Sequence, residues 1–126
     1  MDLKLFLEAE IVLGEVQDLG TRRIVRVMGG KFWSEDFNGT ILEGGGDWQQ
    51  IRSDSVVEID TRYTLKTDDG ALIYLTNQGL RDGGYMRTFS RFESNDERYT
   101  WLNKRLFVSD GAKVDGVVKH SFYEVL

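Results

Sequence analysis

Alternation of apolar and polar residues dominates the chain. From residue 3 to residue 13, Leu3, Leu5, Leu7, Ala9, Ile11 and Leu13 fall on one face, with Lys4, Glu8 and Glu10 on the other. A period of two predicts a strand with one wet side, and a helix would need a period near 3.6. The same pattern is clearest over Val56–Lys66, where Val57, Ile59, Thr61, Tyr63 and Leu65 oppose Glu58, Asp60, Arg62, Thr64 and Lys66. Asp68-Asp69-Gly70 then reads as a tight turn into a partner strand over Ala71–Asn77. Further strands are predicted at Arg22–Met28, Tyr85–Glu93, Tyr99–Val108 and Val117–Val125, with shorter ones at Thr40–Leu42 and Asp47–Ile51. Turns are predicted at Gln17–Thr21, Asn38-Gly39, Ser53-Asp54-Ser55, Gln78–Gly84, Ser94–Arg98 and Ser109-Asp110-Gly111. Gly29-Gly30 reads as a strand end or a bulge. Lys31–Asp36 fits no period, although Phe32, Trp33 and Phe37 are apolar enough to cover something.

No stretch carries a helical stripe that beats this alternation. Eight to ten strands at such spacing predict a β-sandwich or a closed antiparallel barrel. The long first and last strands favour the barrel, because pairing the chain ends removes exposed edges. The expectation is therefore an all-β chain forming one barrel domain over residues 1–126.

Composition narrows what such a barrel does. The chain has 126 residues and no cysteine, so thiol catalysis, thiolate metal sites and disulfides are excluded. With 16 Lys plus Arg against 21 Asp plus Glu the net charge is −5, and the only basic cluster, Arg22, Arg23 and Arg26, sits in a strand pattern. Nucleic acid is not an expected partner, since phosphate backbones need a concentrated basic surface. Nothing approaches the ~20 apolar residues of a spanning helix, and the N-terminus lacks the basic start and apolar run of a signal peptide. The expectation is a soluble cytoplasmic protein without a membrane partner.

The sharpest local feature is Gly44-Gly45-Gly46-Asp47-Trp48-Gln49. Three successive glycines point to backbone forced close to something, and an acid, an aromatic and an amide follow at once. It is no phosphate loop, for no Lys-Ser or Lys-Thr follows and no helix begins there. The glycines are expected to bend the chain between two barrel strands and to deliver Asp47 and Trp48 together to one end.

Taken in order, several motifs form a recognisable set. They are Arg22-Arg23-Ile24-Val25 with Gly29-Gly30, Asn38-Gly39-Thr40, the triple glycine with Asp47-Trp48-Gln49, Asp60-Thr61-Arg62-Tyr63-Thr64-Leu65, Asp68-Asp69-Gly70-Ala71, Phe92-Glu93 and Tyr99-Thr100-Trp101-Leu102-Asn103. From about Gly14 to the C-terminus this set resembles the bacterial and fungal family known as domain of unknown function 3237. The resemblance implies a small β-barrel, calycin- or lipocalin-like or allene-oxide-cyclase-like in appearance, often self-associating and without an established activity. Segment 79–85 departs from the family pattern in being short and glycine-rich. A homo-oligomer is expected on this ground.

Each candidate for chemistry has a plainer reading beside it. Asp60 and Arg62 share a strand face; they are either an exposed ion pair or polar groups in a lumen, where Arg62 would grip a carboxylate or enolate oxygen. Asp47 is either a turn cap or a general base whose pKa the wall of Trp48 raises. Tyr99, Trp101 and Asn103 alternate onto one predicted face and would bind ligand through polar tips, or simply pack. Glu93 follows Phe92 and is a candidate acid, or pairs with Arg87. His120, the only histidine, is a candidate acid, base or ligand contact, or a packed strand residue. One histidine without cysteine leaves no zinc site. No metal or cofactor is implied.

Two classes of function follow. One is an enzyme performing proton transfer, as an isomerase, cyclase or tautomerase, on a small anionic or carbonyl-containing molecule. Asp47, Asp60 or Glu93 would be its acid or base, Arg62 its anion contact, and Tyr99 or Asn103 its oxyanion donors. The other is a non-catalytic carrier of an apolar or aromatic ligand, dependent on Trp101, with an oligomeric scaffold of filled interior as a third reading.

Overall fold

The structure, a computed structural model, describes residues 1–126. Nine strands form a single antiparallel sheet: β1 (Leu3–Asp18), β2 (Arg22–Ser34), β3 (Asn38–Ile41), β4 (Gly46–Ile51), β5 (Val57–Thr67), β6 (Leu72–Asp82), β7 (Tyr85–Glu93), β8 (Phe107–Val114) and β9 (Val117–Val125). Neighbouring strands pair in the order β1-β9-β8-β7-β6-β5-β3-β2, and β1 pairs with β2 to close the ring. The expected barrel is present, and the first and last strands do pair, Leu3 with Val125 through Val12 with Val117.

One stave of the barrel is split. β3 and β4 both lie between β2 and β5, end to end: β3 pairs with Gly30–Trp33 and Leu65–Thr67, and β4 with Arg22–Arg26 and Val57–Arg62. The glycine triplet makes the join. Gly44 has φ 115°, a conformation other residues rarely adopt. A Cβ on Gly45 would lie 2.3 Å from the Arg62 carbonyl oxygen, so this backbone runs hard against β5. The Val27 N–H donates to the Gly45 carbonyl at 2.9 Å, which keeps the join inside the sheet.

Four local expectations give way. Gln78–Gly84 is not a loop, because β6 continues to Asp82 and only Gly83-Gly84 turn. Asn38-Gly39 opens β3, and the turn before it is closed by the Ser34 N–H donating to the Phe37 carbonyl at 2.8 Å. Ser109-Asp110-Gly111 lies within β8; the hairpin turn is Asp115-Gly116, both left-handed. A Cβ on Gly111 would sit 2.7 Å from Cε1 of His120, so this glycine makes room for a ring. Finally, Thr100–Lys104 is a 3-10 helix, where a strand over Tyr99–Val108 was expected. Gly29-Gly30 does bulge β2: Val12 pairs with Gly29 while Leu13 pairs with Val27, leaving Met28 over.

The first strand also changes face. Leu5 pairs with Tyr123 and Leu7 with Phe122, so Phe6 is an extra residue. Leu3 and Leu5 are consequently exposed, at 56% and 50%, although the alternation assigns them to the core. Phe6 turns inward instead, against Phe37, Phe92 and Phe107.

The interior divides into two halves. One holds the strand ends nearest the 3-10 helix, with Phe32, Leu65, Ile73, Phe92, Phe107 and Phe122 all essentially inaccessible. Leu102 of that helix is fully buried and closes this end. The other half holds the C-terminal part of β1 and β6, the N-terminal part of β2, β5 and β9, and the whole of β4. Only two of its inward positions, Tyr63 and His120, carry rings.

Candidate functional site

The unfilled half encloses a cavity of about 310 Å³, the size at which small-molecule sites begin (~300–1,000 Å³). Alternation explains its lining. On β5 the odd residues point in, so Ile59, Thr61 and Tyr63 face it; on β6 Asn77 and Arg81 do; on β4 Asp47 and Gln49 do. Ile11, Leu13, Val25 and Val118 supply an apolar wall, and His120 and Met86 complete it.

Asp47 is the one acid in this lining and is buried, 8% exposed. Gln49 donates its amide to Oδ2 at 2.8 Å, and the Asp60 N–H donates to Oδ1 at 3.2 Å. Burial pushes its pKa up from the ordinary carboxylate range, against the pull of these donors and of the Thr61 hydroxyl; the nearby charge of Asp60 adds to the rise. A carboxylate made more basic while its orientation is fixed is better suited to taking a proton than an exposed one.

Tyr63 lies two residues from Thr61 on the same strand face. Its hydroxyl is buried and has no hydrogen-bond partner in the protein. Burial also raises its pKa beyond the ordinary phenol value, so it stays a neutral donor. An unpartnered buried hydroxyl costs stability, on the order of 1–3 kcal/mol. Asn77 does not share this condition, since its Oδ1 accepts from Ser90 Oγ at 2.7 Å.

His120 is 7% exposed, and its Nδ1 lies 3.1 Å from Ser109 Oγ, which in turn contacts the Thr88 hydroxyl. Burial drives its pKa down to about 4, although the Asp110 charge and backbone pull it up. The ring is therefore neutral at pH 7, held by a buried hydroxyl pair and stacked on Phe122 at 5.5 Å.

Of the residues singled out in the sequence, the cavity takes Asp47 and His120 and leaves the others outside. Trp48 follows Asp47 on a strand and so faces the opposite way, 38% exposed. The burial that raises the Asp47 pKa is thus not a Trp48 wall, and the two are not delivered together. Asp60 and Arg62 also face outward: they pair at 3.3 Å, with the Arg62 guanidinium 5.6 Å from the centre of the Trp48 ring. They form the ion pair of the plainer reading, although Asp60 is half-buried, with its Oδ1 buried and unpartnered and its backbone N–H lent to Asp47. Glu93 ends β7 on the outer face and does not pair with Arg87, which stacks on Tyr85 at 5.0 Å.

Tyr99, Trp101 and Asn103 share no strand face, because the 3-10 helix turns every three residues. They belong to the filled end. Tyr99 packs on Phe37 at 5.0 Å, and Trp101 meets Phe6 edge-on at 5.6 Å. Asn103 spans Ser94, accepting from its N–H at 2.9 Å and donating to its carbonyl at 2.8 Å. The cavity residues passed over in the sequence, Tyr63, Gln49, Asn77 and Arg81, carried one usable signal: polar groups at inward parity in otherwise apolar strands.

No group of three or more His, Cys, Asp or Glu side chains could hold a metal ion. No helix is long and apolar enough to cross a membrane.

Comparison with known proteins agrees with the fold. A protein of Rhodopseudomonas palustris named as a UPF0311 protein is 33% identical over 125 residues, 85% of this chain and 82% of the relative. The crystal structure of a beta-barrel like protein from Acinetobacter baumannii superposes with a TM-score of 0.93 at 32% identity, covering 98% of this chain and 94% of that one. More distantly, a hydroalkoxylation enzyme of Penicillium herquei is 28% identical over 86 residues, 68% of this chain and 54% of the relative. A solved enzyme from the same fungus shares the fold, with a TM-score of 0.83 at 21% identity over 99% of this chain and 94% of its own. The sequence profile of one family matches residues 1–84 and 81–125, so that the chain as a whole belongs to the family described as Protein of unknown function (DUF3237).

Proposed function

We propose that this protein is an enzyme of isomerase or cyclase type, moving a proton within a small molecule held in the open half of the barrel. The observation that carries the reading is Asp47: one buried carboxyl in a cavity, oriented by Gln49 and the Asp60 N–H, with its pKa raised by burial. In the reaction, the Asp47 carboxylate takes a proton from an O–H or an activated C–H of the ligand. The electron pair left behind forms the new bond or shifts along the ligand. The Asp47 carboxyl then returns the proton to the carbon that has gained electron density, so no co-reactant is consumed. The Tyr63 hydroxyl donates to the oxygen on which negative charge gathers. Addition of an O–H across a carbon–carbon double bond, the reaction type in the name of the Penicillium herquei relative, is one case of this scheme.

The test uses ortho-allyl and ortho-prenyl phenols as probes, with formation of the isomeric cyclic ether followed by liquid chromatography and mass spectrometry in D2O. Turnover should carry one deuterium into the new C–H bond. Asp47→Asn should lower the rate by about 10²–10⁴-fold, the usual contribution of a positioned acid or base. Equal rates for Asp47→Asn and the native protein would sink the assignment. A carrier is the second reading, favoured by the apolar wall of Ile11, Leu13, Val25 and Ile59. It predicts probe binding with no turnover at all in the native protein, and Trp101, outside the cavity, takes no part in it.

A further inference from the structure

The charged side chains around the cavity are mostly of the opposite sign to the chain as a whole. The chain carries a net charge of −5, yet the charged side chains lining the cavity are Arg23, Arg81 and Lys113 against the single acid Asp47. Inward parity puts all three there. Arg23 stands two residues before the buried Val25 on β2, Arg81 four after the buried Asn77 on β6, and Lys113 four after the buried Ser109 on β8. Three different staves thus each aim one cation over the open end.

None of the three has an acidic partner. The eight ion pairs of the protein involve Arg26, Lys31, Arg52, Arg62, Arg98, Arg105 and Lys119, and pass over Arg23, Arg81 and Lys113. Most other arginines find an acid or an aromatic ring within reach. On an acidic protein, cations left without partners around one concavity focus a positive potential there. Beneath them lies the Tyr63 hydroxyl, buried and also unpartnered.

From this juxtaposition we infer that the cavity takes an anionic ligand with a flat apolar body, its carboxylate or phenolate held at the rim by Arg23, Arg81 and Lys113 and its ring system inside. The arginine forks suit a planar two-oxygen anion, and the apolar wall suits a ring. Depth follows from the register: an anion at the rim sets the far side of the ligand beside Asp47 and Tyr63, which lie further in. The inference rests on the proposed enzyme reading only for what the ligand is bound for; the binding preference is independent of it.

The experiment compares 2-naphthoate with its neutral isostere 2-naphthamide by isothermal titration calorimetry. The native protein should bind 2-naphthoate at least tenfold more tightly, with the advantage shrinking as NaCl rises from 20 to 300 mM. In a triple variant, Arg23→Gln, Arg81→Gln and Lys113→Gln, the preference should fall below threefold; glutamine keeps the side-chain stems, and circular dichroism checks the fold. Arg91→Gln, on the outer face of β7, should change nothing. Equal affinity for the two probes, a preference that survives the triple variant, or failure of both probes to bind would each overturn the inference. Asp47→Asn separates it from the catalytic reading: the variant should keep the carboxylate preference while losing turnover. Loss of preference with turnover intact in the native protein would discard the anion site alone.

Discussion

The two halves of this barrel are built from the same nine strands and the same alternation, and they differ in what fills the inward positions. At the helix end, Phe6, Phe32, Phe37, Phe92, Phe107 and Phe122 interlock, several at the tilted or edge-on angles aromatic rings prefer. At the other end the corresponding positions hold Asp47, Thr61, Asn77, Arg81 and His120 around a cavity. The glycine join between β3 and β4 falls between the two, so one stave serves both regimes: Ile41 on β3 packs into the core, and Asp47 on β4 faces the cavity. The difference separates two tasks. The packed half stabilises the fold, and that lets the open half keep a buried acid and an unpaired hydroxyl, which weaken folding, and a histidine that weakens it as pH falls below about 6.5.

The strongest way to break this division is to empty the packed half. Phe92 is fully buried and touches Phe6, Phe107 and Phe122. Phe92→Ala should cost about 3–5 kcal/mol, against a typical total of about 5–15 kcal/mol, read as a drop in the urea midpoint. An equally large loss from Met86→Ala, at the cavity wall, would show that the halves do not differ as described.

A smaller effect should come from His120 as pH changes. Its folded pKa is lowered to about 4, below the ordinary histidine value of about 6.5. In that interval the unfolded chain binds a proton that the folded chain refuses, so stability is complete above 6.5 and is lost as pH falls towards 4. The shift corresponds to roughly 3 kcal/mol across the window. His120→Gln should flatten the midpoint-against-pH curve between pH 6.5 and 4; an unchanged slope would mean that other groups set the acid limb.

How much of this was legible in the sequence varies with range. Alternation over Val56–Lys66 is strict, and it located β5, its two faces and the pairing with β6. Closure followed from long terminal strands. What failed was local. Gly39 and Gly111 look like turn residues but are glycines because a carbonyl or a ring presses on them. Tyr99-Thr100-Trp101-Leu102-Asn103 alternates like a strand, yet Leu102 is pulled in to seal the barrel end.

At the site, the same parity that put Ile59 and Tyr63 on the apolar face of β5 already placed Asp60 and Arg62 outside. That parity favours the ion-pair alternative over the lumen one, and the two side chains do pair at 3.3 Å. Asp47 stood out through the glycine triplet before it and His120 as the only histidine, and the structure puts both in the cavity lining. Arg23 and Arg81 were passed over because a cation at the end of a strand looks solvated until the barrel closes around it.

The finest test concerns the sign of the contribution from Asp47 itself. A carboxyl whose folded pKa is raised keeps a proton that the unfolded chain has already released. Stability therefore falls as pH climbs from the ordinary carboxylate range through the raised value, and stays reduced above it. Asp47→Asn removes that deficit: its Oδ1 still accepts from the Asp60 N–H, and Gln49 meets the new amide by turning its own carbonyl towards it. The variant should be slightly more stable than the native protein at pH 7 and equal to it near pH 3, the gain being small because three donors already compensate the buried charge. Differential scanning calorimetry at both pH values reads the difference. A lower melting temperature for Asp47→Asn at pH 7 would mean that the carboxylate holds the open half together, and that its place is structural rather than an expense the packed half sustains.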